Sequence, residues 1–226
     1  MYLISHRGIG DHCYAPNTKE AILSVLQCDY ISGVEFDVRM TKDYKLVVVH
    51  DPFIDLISDG SGFVSRKTLA QLKQYNFGNE CSYSHISTLD EILGSIFCSK
   101  KIVIELKLGG KRYQKMIDVF YSVVSKYSYL NIYVCSFHKK SLQYLIKKKP
   151  FFKVGILIGY TLNDSSFYNH FDFVLVRYSY LKKFNRNKET MFWTINDVSE
   201  FLHIKKLKED VGVITDQSSL FQKYFS

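Results

Sequence analysis

Short apolar runs recur along the chain at 2–5, 34–38, 46–49, 102–106, 132–135, 154–157, 173–176, 191–194 and 213–214. Near-continuous apolar runs of this length are what strands buried on both faces look like. Amphipathic segments lie between most of them, at 18–28, 111–127, 139–149 and 198–209. Strand and helix patterns in alternation imply parallel pairing, and eight or nine strand candidates favour closure. The expected fold is therefore α/β, a (β/α)8 TIM barrel. One step is irregular: from Asp37 to Val47 the chain is too short for a helical crossover, which needs about a dozen residues or more. A hairpin and a bare-loop crossover both satisfy it. After the third strand, 52–93 reads as a small irregular insertion beside the site. It holds a turn at Asp59-Gly60-Ser61-Gly62, a short helix over 68–75 capped by Thr68, and a second helix start at Ser87-Thr88-Leu89-Asp90-Glu91 with early acids.

Composition narrows this picture at four points. The 226 residues contain only three prolines and no linker-like stretch, so 1–226 reads as one domain, at the lower end of the size range of α/β barrels. The five cysteines form no CxxC pair, which argues against a zinc site and a disulfide framework and for a reducing, cytoplasmic compartment. No apolar run is long enough to span a bilayer, and Met1-Tyr2-Leu3-Ile4-Ser5-His6-Arg7 lacks a signal-peptide layout. The net charge of +8 suits an anionic substrate or an anionic membrane surface. The clusters Lys139-Lys140, Lys147-Lys148-Lys149, Lys182-Lys183 and Lys205-Lys206 read more simply as solvated helix faces. Nucleic acid is not an expected partner, because the 17 Tyr and 17 Phe are spread through the strands rather than interleaved with a basic stripe. The oligomeric state is left open.

The polar residues that interrupt the apolar runs carry the chemistry. In an α/β barrel, functional groups sit at the C-terminal ends of strands. The first strand runs into His6 and Arg7, a proton-transfer group beside a planar phosphate-binding fork. Glu35 and Asp37 lie at i and i+2 of one strand and so share a face. If that face is the interior, two adjacent carboxylates need a cation, and oxygen ligands suit Ca²⁺ or Mg²⁺. If it is an edge, they are simply exposed acids. The third run ends in His50, so two histidines at two strand ends could act as base and acid of one reaction. On the next strand Glu105 completes a three-carboxylate set, and Lys107 brings a positive charge to a developing phosphorane.

Taken together, His6-Arg7-Gly8, Pro16-Asn17-Thr18, Gly33-Val34-Glu35-Phe36-Asp37-Val38, Thr41-Lys42-Asp43 and His50-Asp51 resemble the N-terminal half of the glycerophosphodiester phosphodiesterases. Glu105-Leu106-Lys107, Ser136-Phe137, Trp193-Thr194-Ile195-Asn196 and Gly212-Val213-Ile214-Thr215-Asp216 extend the likeness over roughly residues 4–217. The resemblance implies that Glu35, Asp37 and Glu105 hold one divalent cation. It implies that His6 and His50 are the catalytic pair and that Arg7 and Lys107 hold the phosphate. It implies hydrolysis of a small-molecule glycerophosphodiester to sn-glycerol 3-phosphate and an alcohol. His6 as base and His50 as acid is the order adopted, although the sequence does not decide it. Trp193 either walls the substrate pocket or fills the core, Asn196 lines the pocket or turns the strand end, and Phe137 contacts glycerol or packs inside. A lysophospholipase D or phospholipase-type activity on lipids is the nearest rival. A non-catalytic phosphodiester-binding role is the other, disfavoured because the key positions are all filled. Two departures from the family pattern stand out: Ala15 precedes Pro16-Asn17-Thr18 in a loop lacking the family's Glu, and Tyr44 replaces a turn glycine that wants positive φ.

Overall fold

A computed structural model of the chain describes every residue outside 109–111, 160–165, 184–187, 207–210 and 226, and describes no side chains for 166–167 and 181–183. Nine strands form one sheet: β1 Tyr2–His6, β2 Gly33–Met40, β3 Leu46–Val48, β4 Lys101–Leu106, β5 Asn131–Ser136, β6 Lys153–Ile158, β7 Phe173–Arg177, β8 Glu189–Trp193 and β9 Val211–Thr215. Eight are parallel neighbours in the order β1-β9-β8-β7-β6-β5-β4-β2, and a β1–β2 pairing closes the ring. The ninth, β3, settles the open connection: it pairs antiparallel with the far end of β2, Val38 opposite Val48 and Met40 opposite Leu46, as a hairpin standing on the barrel mouth. Tyr44, at the hairpin turn, has φ 61°, the left-handed conformation expected where a glycine is usual.

Side chains alternate between two cores because a strand has period two. On β2, Val34, Phe36 and Val38 join the outer layer against the helices, while Glu35 and Asp37 point inside. On β4, Ile102, Ile104 and Leu106 go outward and Val103 inward, so Glu105 is inward too. The outer layer is completed by α1 Lys19–Leu26, α4 Tyr113–Val124, α5 Lys139–Ile146, α6 Val198–Lys205 and α7 Ser218–Phe221, with short α2 Leu69–Leu72 and α3 Leu89–Leu93 in the insertion. Helical spacing decides what each buries: Met116, Ile117, Phe120 and Val124 form one stripe of α4. Thr18 caps α1, and Thr68 with Gln71 and Thr88 with Glu91 form capping boxes on α2 and α3. The insertion packs a small core of its own, in which Val47 and Val49 meet Ile54, Val64, Leu72, Phe77 and Ile86. Of the lysines named above, Lys139, Lys140, Lys147, Lys149, Lys205 and Lys206 are exposed, Lys148 pairs with Asp118, and the side chains of Lys182 and Lys183 lie outside the described set. No described helix is long and apolar enough to cross a membrane.

The inward series ends in a polar plug at the bottom of the barrel. Glu189 accepts from Tyr2 Oη at 2.8 Å, Lys153 Nζ at 2.6 Å and Lys101 Nζ at 3.2 Å. Burial alone would push the Glu189 carboxyl up, but these bonds and charges outweigh it and hold the carboxyl below its ordinary range. Such a depressed carboxyl stabilises the fold above the unfolded-state value, about 4.3, and the contribution disappears as pH falls through the folded value. Glu189→Gln is expected to cost about 2 kcal/mol at neutral pH and almost nothing below about pH 3. Urea unfolding of both proteins across that range measures the convergence, and a constant difference would exclude an ionic role for the plug.

Candidate active site

Strand register assembles the mouth of the barrel. His6 is the Cα partner of Glu35 across β1 and β2, and Asp37 is the partner of Glu105 across β2 and β4. The three carboxylates are buried, and one oxygen of each lies within 4.8 Å of the others. Around them stand two cations. Lys107 Nζ is 3.1 Å from Asp37 Oδ1 and 2.7 Å from Glu105 Oε1, and Arg7 Nε is 3.3 Å from Asp37 Oδ2. Neither contact to Asp37 has hydrogen-bonding geometry: Asp37 Oδ1 and Arg7 Nε remain without a hydrogen-bond partner.

Three acids against two cations leave one negative charge over, and the site distributes it unevenly. Burial, with the charges of Asp37 and Glu105, pushes the Glu35 carboxyl well up. Burial, only partly offset by Lys107, also raises Glu105. Asp37 goes the other way, because Lys107, Arg7 and the Asn17 hydrogen bond together outweigh its burial. Lys107 is raised, since its acid neighbours overcome desolvation. The fit to a hard divalent cation is good: an all-oxygen donor set, buried, with an unbonded Asp37 oxygen and a Glu35 whose charge is unstable without a further positive neighbour.

Both histidines are oriented by carboxylates. His6 Nδ1 donates to Asp216 Oδ1 at 2.6 Å, leaving Nε2 toward Glu35 Oε2 at 3.8 Å. His50 Nδ1 donates to Asp51 Oδ1 at 2.9 Å, and its carbonyl accepts from Arg39 Nε at 2.7 Å. Burial, aided by Lys107 and Arg7, lowers the pKa of His50. A cavity of about 210 Å³ is lined by His6, Arg7, Glu35, His50, Glu105, Lys107 and Thr194 on its polar side and by Phe137, Leu157, Leu175, Trp193 and Ile214 on its apolar side. Phe137 and Trp193 meet edge to face at 5.9 Å, and Trp193 Nε1 has no hydrogen-bond partner. Asn196 is not among the lining residues. It donates to Asp216 Oδ2 at 2.9 Å and accepts from the Asp216 amide at 2.9 Å, bracing the residue that holds His6.

Three polar residues here were not singled out as site residues from the sequence. Asp216 lies two positions beyond inward Ile214, just past the end of β9, and Arg39 two beyond Asp37 within β2, so continuing the period-two alternation along each run would have found both. Asn17 gave no such signal. It is buried at φ 63°, donates Nδ2 to Asp37 Oδ2 at 3.0 Å and accepts from the Asp37 amide at 3.0 Å. Asparagine tolerates that backbone better than most residues. The turn before it depends on Gly8, at φ 73°, where a Cβ would stand 2.8 Å from the Ile22 nitrogen of α1.

A closed parallel barrel with carboxylates, histidines and cations gathered at its C-terminal strand ends defines a (β/α)8-barrel enzyme. Its lineage is shown by comparison: the chain belongs to the glycerophosphoryl diester phosphodiesterase family, whose model matches residues 6–220. A glycerophosphodiester phosphodiesterase of Caldanaerobacter subterraneus subsp. tengcongensis is 32% identical over 162 residues, a match spanning 69% of this chain and 65% of that protein's length. A glycerophosphodiester phosphodiesterase structure from Thermotoga maritima superposes with a TM-score of 0.77 at 26% identity, covering 99% of this chain and 98% of that one. A phosphodiesterase of Oleispira antarctica, solved with the product sn-glycerol-3-phosphate, superposes at 0.85 over 99% of this chain and 96% of that one, and at 23% identity it speaks for the fold.

Proposed function

We propose that the protein, working as one barrel domain with its insertion, hydrolyses glycerophosphodiesters to sn-glycerol 3-phosphate and an alcohol. In this reading Glu35, Asp37 and Glu105 hold one Ca²⁺ or Mg²⁺, His6 and His50 are the acid–base pair, and Arg7 and Lys107 bind the phosphate. The observation that carries it is the tri-carboxylate cluster flanked, within one cavity, by two histidines that carboxylates hold by Nδ1. The product named in the Oleispira antarctica structure agrees with it.

When bound, the cation neutralises charge on the phosphoryl oxygens. The Arg7 fork and the Lys107 ammonium orient the same oxygens. With Nδ1–H fixed on Asp216, His6 presents the Nε2 lone pair to take a proton from the nucleophile, either water or the substrate's glycerol hydroxyl. Burial beside Arg7 and Lys107 destabilises the His50 imidazolium, so once formed it gives its proton readily to the leaving alkoxide. Phe137 and Trp193 supply the apolar wall for glycerol carbons.

The test is glycerol 3-phosphate release from glycerophosphocholine and glycerophosphoethanolamine with Ca²⁺, with Mg²⁺ and with a chelator. Release that stops on chelation and in Glu35→Ala supports the reading; a folded protein silent with every divalent metal defeats it. Asn17→Ala is expected to weaken metal affinity and activity about 10–100-fold, the usual cost of losing a ligand's hydrogen-bond partner. Titration of activity against metal concentration detects it, and an unchanged midpoint would remove Asn17 from the site. A second reading, cleavage of lysolipids at an anionic membrane surface, draws on exposed Phe53, Leu56 and Phe63 of the insertion, with Arg66 stacked 4.9 Å over Phe63. Lysophosphatidylcholine in the same assay separates the two.

A further inference from the structure

The cysteines are scattered along the chain, but folding brings two of them together. Cys13, in the loop between β1 and α1, and Cys81, in the insertion, are both exposed. The side-chain amide of Asn79 clasps their backbones. Its Nδ2 donates to the Cys13 carbonyl at 2.5 Å, and its Oδ1 accepts from the amides of Cys81 at 3.0 Å and Ser82 at 3.3 Å. Asn79 also pairs antiparallel with Ser82, so Cys81 sits in a tight turn. Gly78 lies so close to that turn that a Cβ there would stand 1.9 Å from the Ser82 carbonyl oxygen. A second tie joins the same parts of the fold: Ser84 Oγ donates to Glu20 Oε2 of α1 at 2.9 Å. The side chains meet as well. The Cys13 thiol pushes the Cys81 thiol up, first through a hydrogen bond and then, after burial, through charge. Both segments line a cavity of about 430 Å³ that adjoins the catalytic one at Arg7 and His50. Ala15, Pro16 and Asn17 come from the loop, and Asn76, Phe77 and Gly78 from the insertion.

We propose that Cys13 and Cys81 are a modification site, a thiol pair that closes into a reversible disulfide and fastens the β1–α1 loop to the insertion at this cavity. The oxidant is a small disulfide such as oxidised glutathione. One cysteine thiolate attacks a glutathione sulfur, which gives a mixed disulfide and releases one glutathione thiolate. The other cysteine, as its thiolate, then attacks the protein sulfur of the mixed disulfide and releases the second glutathione. One S–S bond is lost for the one gained, two electrons pass to glutathione, and the two cysteine protons end on the released thiols. Excess reduced glutathione reopens the bond by the reverse steps. The bond does not depend on which diester the enzyme cleaves.

The test treats the full chain with oxidised glutathione, blocks the remaining thiols by alkylation, and maps unreduced peptides by mass spectrometry. A peptide joining Cys13 to Cys81 is expected in most molecules, with the free thiols falling from five to three and returning on treatment with dithiothreitol. The bond closes a long loop, so the oxidised protein should melt about 5–10 °C higher than the reduced one. Cys13→Ser and Cys81→Ser should each abolish both the cross-link and the rise. Glutathione adducts that persist on either cysteine, chains joined between molecules, or pairing with half-buried Cys28 or Cys98 or buried Cys135 overturn the proposal. A cross-linked protein that melts no higher than the reduced one also overturns it, because the bond would then form at the expense of the fold.

Discussion

Asp37→Ala is expected to lower metal-stimulated kcat/KM by about 10³-fold or more, since a metal's electrostatic contribution to phosphoryl chemistry is several kcal/mol. Asp37 is fully buried and is the point where the site's charges converge. Arg7 and Asn17 reach Oδ2, and Lys107 reaches Oδ1. Without it, Lys107 has only Glu105 as an ion-pair partner, Arg7 has none among the described residues, and the acid set falls to two. The loss should therefore appear in metal affinity as well as in turnover. Asp37→Asn keeps the size and an acceptor oxygen while deleting the charge, so it separates packing from electrostatics. Circular dichroism and a thermal melt on both variants, beside activity at saturating Ca²⁺ and Mg²⁺, make the comparison. A folded Asp37→Asn protein with near-normal metal-dependent turnover would show that the cluster is not the cation site.

His6→Ala and His50→Ala are each expected to reduce kcat by about 10²–10⁴-fold with little change in KM, the usual scale for positioned acid–base groups. The two should differ in their dependence on the supporting carboxylates. Asp216→Asn leaves the His6 ring in place but offers an amide where a carboxylate holds Nδ1–H, so it should reproduce part of the His6→Ala loss. Asn196→Ala should do so more weakly, because Asn196 acts only on Asp216. A purely structural role for Asp216 would lower the melting temperature and leave the pH–rate profile in place. A positioning role would move the limb that belongs to His6. Full activity in either histidine variant would end the acid–base assignment.

Part of this was readable before any coordinates. The nine apolar runs correspond to the nine strands, because strands covered on both faces must be apolar nearly throughout. The acids of β2 and β4 were legible as a pair and a third because period two is a property of the strand itself, and their neighbours Val34, Phe36, Ile104 and Leu106 are what an outer face requires. Thr68 was readable as a cap, and Ser87–Glu91 as a helix start, since helix initiation is decided within one turn. Asn17 was not, because its role comes from a hydrogen bond spanning twenty positions of chain. The antiparallel placement of β3 was likewise undecided, as a short connection permits either direction until the neighbours of β2 are known.

Local order thus followed from the chain alone: which runs are strands, which positions along each alternate in polarity, and where helices start. Those features depend on residues a few positions apart, where backbone period and capping leave little freedom. The fold in three dimensions decided the rest. Register made His6 and Glu35, and Asp37 and Glu105, into neighbours. Closure of β1 on β2 and β9 brought Asp216 to His6 from the far end of the sequence. The sharing of one negative charge among three acids depends on distances between strands and on exclusion of water, and neither is a property of any segment by itself.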